Sequence, residues 1–309
     1  MTSVYFELTV MIILWSLSFI VVDIGVEIVP PLSLALYRFI LASICFLIIH
    51  LYTRIKNNKK QISNHKGGNL SKYNKKDWLL IIIASFTGIS FFFLSQYNAI
   101  AIIGPSLPAL FVCLLAPIIV STLALIFFEE KLNKIKILGF GIATIGGYLL
   151  VTGGNLDILN PQSVNFLGYF FALLTPILWA IYSTSTKFLT KTKSTLRMLE
   201  FITYFGTIEL FFLVLINNEL ITLLLNMNNP ILFFCCIYLG LVCHILGYYI
   251  WNNSQKQIAS SKAVSFLYIE PFLTLIFSFL LQRSEIILPL NIIGGIIVLI
   301  AVLIINSKK

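Results

Sequence analysis

Ten apolar segments, each about as long as a bilayer is thick, constrain this chain more than any other feature. A helix needs about 20 residues to cross the hydrocarbon of a membrane. Of the 309 residues 59% are hydrophobic and only 11% are charged, which is more apolar side chain than a soluble core of this size can bury. The sequence therefore predicts an all-α membrane protein with ten transmembrane helices. The apolar segments cover residues 5–25, 32–53, 78–98, 106–128, 135–152, 165–186, 198–217, 231–251, 263–282 and 287–306.

A long segment of the chain occurs twice. Residues 97–151 contain an apolar helix with a proline in its middle, a charged turn and a glycine-rich apolar helix, and residues 251–305 repeat this order. An offset of 154 residues superposes Pro117 on Pro271. A repeat of this length in a very apolar chain indicates a duplicated membrane unit.

The duplication divides the ten predicted helices into two halves, residues 1–152 and 153–309. Trp15 in the first helix and Trp179 in the sixth pair at a nearby offset of 164. Because each half has an odd number of helices, the second half crosses the membrane in the opposite direction. We expect two inverted five-helix repeats, with residues 54–77 as a flexible, polar cytoplasmic loop in the first.

Lysine and arginine residues predict the orientation. With the N-terminus inside, every Lys and Arg except Arg38 and Arg283 lies in a segment predicted to face the cytoplasm. The net charge of +9 is therefore a topological signal, and its expected partners are membrane lipids and not nucleic acid. Both termini are predicted to be cytoplasmic.

Several motifs resemble one transporter family. Residues 15–19 (Trp-Ser-Leu-Ser-Phe), residues 37–42 (Tyr-Arg-Phe-Ile-Leu-Ala) and a proline-bearing helix before a glutamate turn in both halves are similar to the drug/metabolite transporter superfamily, EamA type. The similarity covers essentially the whole chain. It implies alternating access through a central cavity built by helices one, three, four, six, eight and nine.

Helical spacing places aromatic and polar side chains on one face of several predicted helices. Helices one and six would form an aromatic and hydroxyl wall, and helices three and eight carry polar stripes. The alternative for each residue is packing within the bundle or anchoring at the membrane interface. The candidate substrate-binding residues are Trp15, Ser18, Phe19, Phe91, Ser95, Asn98, Trp179, Tyr182, Ser183, His244, Tyr248 and Glu270.

Two ionisable residues are candidates for coupling transport to a proton or another cation. Glu270 lies near the middle of helix nine, directly before Pro271, whose missing N–H permits a kink. His244 has an unperturbed pKa of about 6.5, which suits a proton relay. The alternative for both residues is a structural hydrogen bond between helices.

Other features of the sequence predict structural roles. Arg38 is expected to form a buried ion pair with Asp23. The resemblance implies that helix seven is peripheral, so Glu209 on that helix is expected to form a structural pairing. Small residues from Gly139 to Gly147 form a smooth ridge on helix five. The sequence leaves two alternatives open: the ridge packs against another helix of the same protomer, or it packs between the two copies of a homodimer.

Enzyme motifs are lacking in the sequence. It contains neither G-x-S-x-G nor H-E-x-x-H, and its five cysteines lie in apolar segments without a C-x-x-C pattern. We expect no cofactor, no metal site and no enzymatic activity. The resulting hypothesis is a secondary transporter that exports a small polar or amphipathic metabolite, such as an amino acid or nucleobase, across the plasma (inner) membrane. The alternative is a membrane-embedded, lipid-modifying enzyme.

Overall fold

The computed structural model describes residues 2–61, 73–130, 133–154, 166–283 and 288–306. Within these ranges the chain is helical, and no strand occurs. A short helix, Leu220–Asn226, joins the seventh and eighth long helices. The ten long helices are α1 (Thr2–Val26), α2 (Pro31–Gln61), α3 (Lys75–Ile103), α4 (Ser106–Phe128), α5 (Lys134–Thr152), α6 (Phe166–Thr190), α7 (Thr195–Ile216), α8 (Pro230–Gln257), α9 (Ser260–Leu280) and α10 (Pro289–Asn306).

These helices confirm the predicted all-α membrane fold. In the part of the chain that the structure describes, nine helices are long and apolar enough to cross a bilayer, and α5 coincides with the remaining predicted segment. Large apolar side chains cover the outside of the bundle, as a lipid environment requires. One boundary differs clearly: α2 continues to Gln61, eight residues into the predicted loop 54–77. Residues 62–72 of that loop lie outside the described ranges, and the domain division after residue 152 stays a prediction.

Asparagine side chains cap the start of three helices. Asn74 accepts a hydrogen bond from the Asp77 N–H at 2.8 Å, and Asp77 accepts one from the Asn74 N–H at 2.9 Å, which completes a capping box for α3. Asn133 and Asn229 cap α5 and α8 in a similar way. These caps satisfy N–H groups that have no partner inside the helix.

Equivalent helices of the two halves run in opposite directions. The C-terminal ends of α4 and α6 meet through the ion pair of Glu130 with Lys187. The counterparts of these helices in the other repeat, α9 and α1, have their C-terminal ends where Arg283 pairs with Asp23. The start of α9 lies at the first meeting point, because the Ser260 N–H donates to Glu130 at 3.0 Å. Since α9 spans the bundle, the two meeting points lie at opposite ends. We call the end with Lys187 the basic end and the end with Asp23 the opposite end.

Helices α5 and α10 pack closely through glycine. A Cβ atom added at Gly294 would lie 2.6 Å from the carbonyl oxygen of Gly146 and 2.7 Å from the Cα of Leu150. A Cβ at Gly139 would lie 2.6 Å from Ile305. The predicted small-residue ridge therefore packs within one protomer. Association of two copies stays a prediction.

Three helices depart from regular α geometry. Helix α3 contains a π-helical turn at Phe86–Ser90, and α8 contains a longer π segment at Tyr238–Tyr248. Helix α9 tightens to 3₁₀ geometry at Ser265–Ile269 and resumes as an α-helix at Glu270. The break lies at the predicted kink before Pro271. Irregular turns of this kind release backbone carbonyls from the helical ladder and often border functional sites.

Substitution of Gly294 by alanine tests the contact between α5 and α10. We expect Gly294→Ala to lower the free energy of unfolding by about 1–3 kcal/mol, because the new methyl group meets backbone atoms that have no room to move. Thermal unfolding of the purified protein in detergent measures this loss. Gly141→Ala is the matched control, since a Cβ there has no neighbouring atom within 4 Å. Equal loss in both variants would argue against the close contact.

Candidate functional site

A cavity lies between the two halves at the centre of the bundle. The empty space among its lining side chains, including its open mouth, is about 420 Å³. The lining side chains come from α1, α3, α4, α6, α8 and α9, the six helices that the family resemblance implies, and additionally from α2.

Half of the candidate residues line this cavity. Each of them lies on a helix face directed toward the interface between the two repeats. These residues are Trp15, Ser18, Phe19, Trp179, Tyr248 and Glu270. Their spacing on α1, where Trp15, Ser18 and Phe19 follow one helical face, is the spacing on which the prediction depended. Contact with a substrate stays a prediction for all six.

Tyr182 and Ser183 lie beside the cavity. The Tyr182 hydroxyl accepts a hydrogen bond from Asn252 at 2.8 Å, and the Ser183 hydroxyl accepts one from the indole N–H of Trp251 at 3.2 Å. Both residues hold α6 against α8. The structure thus gives them interhelical contacts and keeps them outside the cavity wall.

The candidates on α3 point away from the cavity. Phe91 stacks on Phe86 with ring centroids 3.9 Å apart, Ser95 is buried, and Asn98 donates to the Leu94 carbonyl at 2.7 Å. The prediction aligned these residues with Thr87 at regular α-helical spacing. The π turn at Phe86–Ser90 holds an additional residue per turn, which rotates the following face by about one position.

The residues that face the cavity on α3 are therefore Phe92, Phe93 and Gln96. Regular spacing could not have found them, because the sequence carries no clear signal for the π turn. Val112, Cys243 and Leu267 complete the apolar wall, and none of them was a candidate.

His244 is buried outside the cavity wall. Its Nε2 shares a hydrogen bond of 2.8 Å with the Thr203 hydroxyl of α7, and its ring packs against Phe39 and Tyr248. These contacts match the structural alternative, a hydrogen bond between neighbouring helices. A coupling role for His244 stays a prediction.

Arg38 lines the cavity and does not pair with Asp23. Its guanidinium contacts the Tyr97 hydroxyl and lies 4.4 Å from the ring centre of Phe93, whereas Asp23 pairs with Arg283 at 2.6 Å. The predicted ion pair is wrong because the two residues lie at different depths. Arg38 is seven residues, or about 10 Å, into α2, whereas Asp23 is only three residues from the end of α1.

Tryptophan and tyrosine rings close the cavity on the side of the basic end. The ring centroids of Trp15 and Trp179 are 5.3 Å apart at an interplanar angle of 87°, and Tyr248 lies 5.4 Å from Trp179. Trp251, one turn closer to the end of α8, lies 5.3 Å from Trp179. Edge-to-face pairs of this kind are favourable beyond their buried area.

Two hydrogen bonds join these rings to the irregular turns of the other repeat. The indole N–H of Trp15 donates to the Cys243 carbonyl in the π segment of α8 at 2.9 Å. The Tyr248 hydroxyl donates to the Gly88 carbonyl in the π turn of α3 at 3.1 Å. Each bond thus joins a side chain of one repeat to a backbone carbonyl of the other.

Glu270 is the carboxylate of the cavity wall. Its side chain is 3% exposed, and among the described residues it forms no hydrogen bond or ion pair. The corresponding residue of the first repeat is Ala116, and α4 stays regular around Pro117. The two halves therefore differ in charge at the centre of the molecule.

Glu209 shows a different environment for a buried carboxylate. It accepts hydrogen bonds from the hydroxyls of Ser85 at 2.7 Å and Ser90 at 2.6 Å, which tie α7 to α3. The predicted structural pairing of Glu209 is confirmed.

Ion pairs join helices at both ends of the bundle. Glu130 pairs with Lys187, whose ammonium also donates to the Ser260 hydroxyl at 2.6 Å. Burial raises the pKa of Glu130, but the hydrogen bonds from Lys187 and Ser260 outweigh it and hold the pKa below its usual value. The Glu130 carboxylate is therefore ionised at neutral pH. At the opposite end, Arg283 contacts Asp23 and also Glu27 at 2.5 Å.

No cluster of side chains that could bind a metal ion occurs in the described part of the chain. No three His, Cys, Asp or Glu side chains there are arranged to hold a metal ion. The cavity offers one carboxylate, one guanidinium and aromatic rings, which suit recognition of a small organic solute.

Conservative substitutions of the two central tryptophans test the role of the indole N–H. Trp15→Phe should lower the free energy of unfolding by about 1 kcal/mol more than Trp179→Phe does, because only Trp15 donates to a carbonyl. Chemical or thermal unfolding in detergent provides the comparison. A larger loss for Trp179→Phe would contradict the assignment.

Comparison with known proteins agrees with a transporter built from two repeats. The profile of the EamA-like transporter family matches residues 3–152 and 166–307. An uncharacterized transporter of Archaeoglobus fulgidus is 24% identical over 98% of this chain and 96% of its own length. The uncharacterized transporter YyaM of Bacillus subtilis is 26% identical over 88% of this chain and 83% of its own length.

A solved crystal structure shares the fold. It superposes with a TM-score of 0.68 over 99% of this chain and 97% of that chain, at 14% identity. Because the family profile matches both halves and covers nearly the whole sequence, the chain belongs to the EamA-like transporter family and is a multi-pass membrane transporter.

Proposed function

We propose that this transporter exports a small polar or amphipathic metabolite, such as an amino acid or nucleobase, across the plasma membrane by alternating access. The central cavity carries the proposal: it lies between two inverted repeats and combines aromatic walls with the unpaired carboxylate of Glu270. Inverted repeats let one site face either side of a membrane by rocking of the helices around it.

The charge distribution supports an orientation with the basic end in the cytoplasm. Lys187, Lys191 and Lys193 cluster there, and basic residues are retained on the cytoplasmic side of membrane proteins. Both chain termini then face the cytoplasm.

Glu270 is the proposed contact for the solute or for a coupling proton or cation. A carboxylate without protein partners, placed where the helix breaks, can accept a hydrogen bond or a positive charge without displacing a structural contact. Protonation would neutralise it in the absence of a cation.

Counterflow in proteoliposomes tests the proposal. Vesicles are loaded with a mixture of metabolites, a labelled mixture is added outside, and mass spectrometry identifies solutes that exchange only when the protein is present. Saturable exchange of one chemical class supports the proposal. Chemical conversion of a lipid in the same vesicles, without exchange, would favour the alternative of a membrane-embedded enzyme.

Substitution of Glu270 tests the residue directly. We expect Glu270→Gln to lower exchange at least about tenfold, a loss of about 1.4 kcal/mol, or to abolish its dependence on pH. Glu209→Gln is the matched control, because it neutralises a buried carboxylate outside the cavity. Wild-type exchange with an unchanged pH response in Glu270→Gln would reduce Glu270 to a packing residue.

A further inference from the structure

A second groove lies on the outer surface of the bundle, between α2, α7 and α8. The empty space among its lining side chains, including its open side, is about 1180 Å³. Two of these side chains, Leu246 and Tyr249, are 45% and 39% exposed, so the groove opens to the lipid that surrounds the protein. Among the described residues, none lines both this groove and the central cavity. We call it the lateral groove.

The two ends of the lateral groove differ in polarity. Near the middle of the bundle its wall is apolar and consists of Cys45 on α2 together with Leu241 and Ile245 on α8. Toward the basic end the wall is polar and contains Ser194, Thr195, Asn253 and Lys256. A matching ligand therefore has an apolar part inside the bilayer and a polar part at the bilayer surface.

The length of the groove matches one leaflet of a bilayer. Leu241 and Lys256 are the first and the last residues of α8 that line it, and their separation in sequence corresponds to about 20 Å along the helix axis. The distance from the midplane of a bilayer to the outer edge of its head groups is also about 20 Å. A phospholipid that lies along α8 would thus place its acyl chain at Leu241 and its phosphate near Lys256.

The start of α7 lies at the polar end of the groove and favours an anion. The Ser194 side chain directly precedes α7 but does not cap its first N–H groups. Free N–H groups and the helix dipole give such a helix end a partial positive charge. Thr195, the first residue of α7, is 4% exposed, and its hydroxyl has no hydrogen-bond partner among the described residues. A phosphate group can accept hydrogen bonds from both kinds of donor.

Lys256 supplies a full positive charge at the same end. It is exposed and forms no ion pair with the described residues. Other cations nearby already have partners: Lys193 pairs with Asp77 at 2.9 Å. Among the described residues, no Asp or Glu lines the groove. The polar end is therefore complementary to a negatively charged head group.

We propose that the lateral groove is a binding site for an anionic phospholipid, with the phosphate at Lys256 and the start of α7 and an acyl chain along Leu241 and Ile245. The depth of the groove favours a lipid over a soluble anion. The charge of its polar end favours an anionic lipid over a zwitterionic one, whose own cation offsets the attraction. This inference goes beyond the proposed transport function and does not depend on it.

A lipid bound in this groove would pack against a helix of the central cavity. Leu241 and Ile245 belong to the π segment of α8, and Cys243 and Tyr248 of the same segment line the cavity. A ligand that binds the folded protein alone stabilises it. We therefore expect the anionic lipid to raise the thermal unfolding temperature of the protein.

Native mass spectrometry of the purified, delipidated protein tests the site. The probes are phosphatidylglycerol and phosphatidylcholine with identical acyl chains, and inorganic phosphate. We expect phosphatidylglycerol to bind at least about fivefold more tightly than phosphatidylcholine, because a single Lys at a membrane surface contributes a factor of about this size. Phosphatidylglycerol should also raise the unfolding temperature in detergent, whereas inorganic phosphate at the same concentration should leave it unchanged.

Two variants test the polar end. Lys256→Gln should lower the affinity for phosphatidylglycerol to that for phosphatidylcholine. Thr195→Val should weaken phosphatidylglycerol binding but leave the delipidated protein as stable as the wild type, because its hydroxyl has no partner to lose. Lys76→Gln is the matched control, since Lys76 is an exposed lysine at the basic end outside the groove, and it should bind both lipids like the wild type.

A third variant tests the apolar end. Leu241→Trp should weaken phosphatidylglycerol binding, because the larger ring takes the space of the acyl chain. Ile145→Trp is its control: Ile145 is 62% exposed on α5, outside the groove, and the variant should bind lipid normally.

Labelling of Cys45 locates the bound lipid on the protein. All five cysteines lie in the described part of the chain, and Cys45 is the one that is not buried. Phosphatidylglycerol should slow the reaction of N-ethylmaleimide with Cys45 more than the same concentration of phosphatidylcholine does. This protection should persist in Lys76→Gln and disappear in Lys256→Gln.

Several outcomes would overturn the site. Equal affinity for the two lipids, or equal losses in Lys256→Gln and Lys76→Gln, would reduce the effect to general attraction by the basic surface. Stabilisation by inorganic phosphate alone would indicate a site for a soluble anion, and protection of Cys45 by dimerisation without lipid would indicate a second copy of the chain in the groove. If Lys256→Gln fails to fold, the two lipids compared on the wild-type protein still decide the inference. None of these results bears on the exchange of metabolites.

Discussion

The hydrogen bonds from Trp15 to the Cys243 carbonyl and from Tyr248 to the Gly88 carbonyl hold the two repeats together at their centre. These hydrogen bonds matter because the hydrocarbon of a bilayer contains no water that could donate a hydrogen bond to a backbone carbonyl. Each bond joins a side chain of one repeat to a backbone carbonyl in a π-helical segment of the other, in α8 for Trp15 and in α3 for Tyr248. The π turn of α3 also changes which face of that helix lines the cavity.

The duplication supplies a symmetric scaffold, and this chain then departs from symmetry at functional positions. Trp15 donates a hydrogen bond, whereas the indole N–H of its counterpart Trp179 is buried without a partner among the described residues. Glu270 replaces the Ala116 of the first repeat, and only α9 breaks at that point. The central carboxylate therefore belongs to the second repeat alone, while the ion pairs at the two ends occupy equivalent positions with opposite charges.

Buried charge distinguishes structural from functional sites here. Glu209 is satisfied by two serine hydroxyls, and Asp77 by its helix cap and Lys193. Among the described residues, Arg38 and Glu270 have no partner of opposite charge, although both are almost fully buried. A membrane protein retains such groups where a cavity or a ligand compensates them. This contrast, more than the number of polar residues, supports the proposed site at the centre of the molecule.

The sequence by itself determined the helices, their approximate number, the two repeats and the position of Glu270 near the middle of α9. The hydrophobicity and length of each segment predict whether it spans the membrane, because each segment partitions between water and lipid on its own. Only the tertiary structure decided which side chains meet. The π turn of α3 turned Phe92 and Gln96 to the cavity in place of Phe91 and Ser95, and helix depth paired Asp23 with Arg283. Rotation and register of a helix depend on its neighbours, and no spacing rule within one segment contains them.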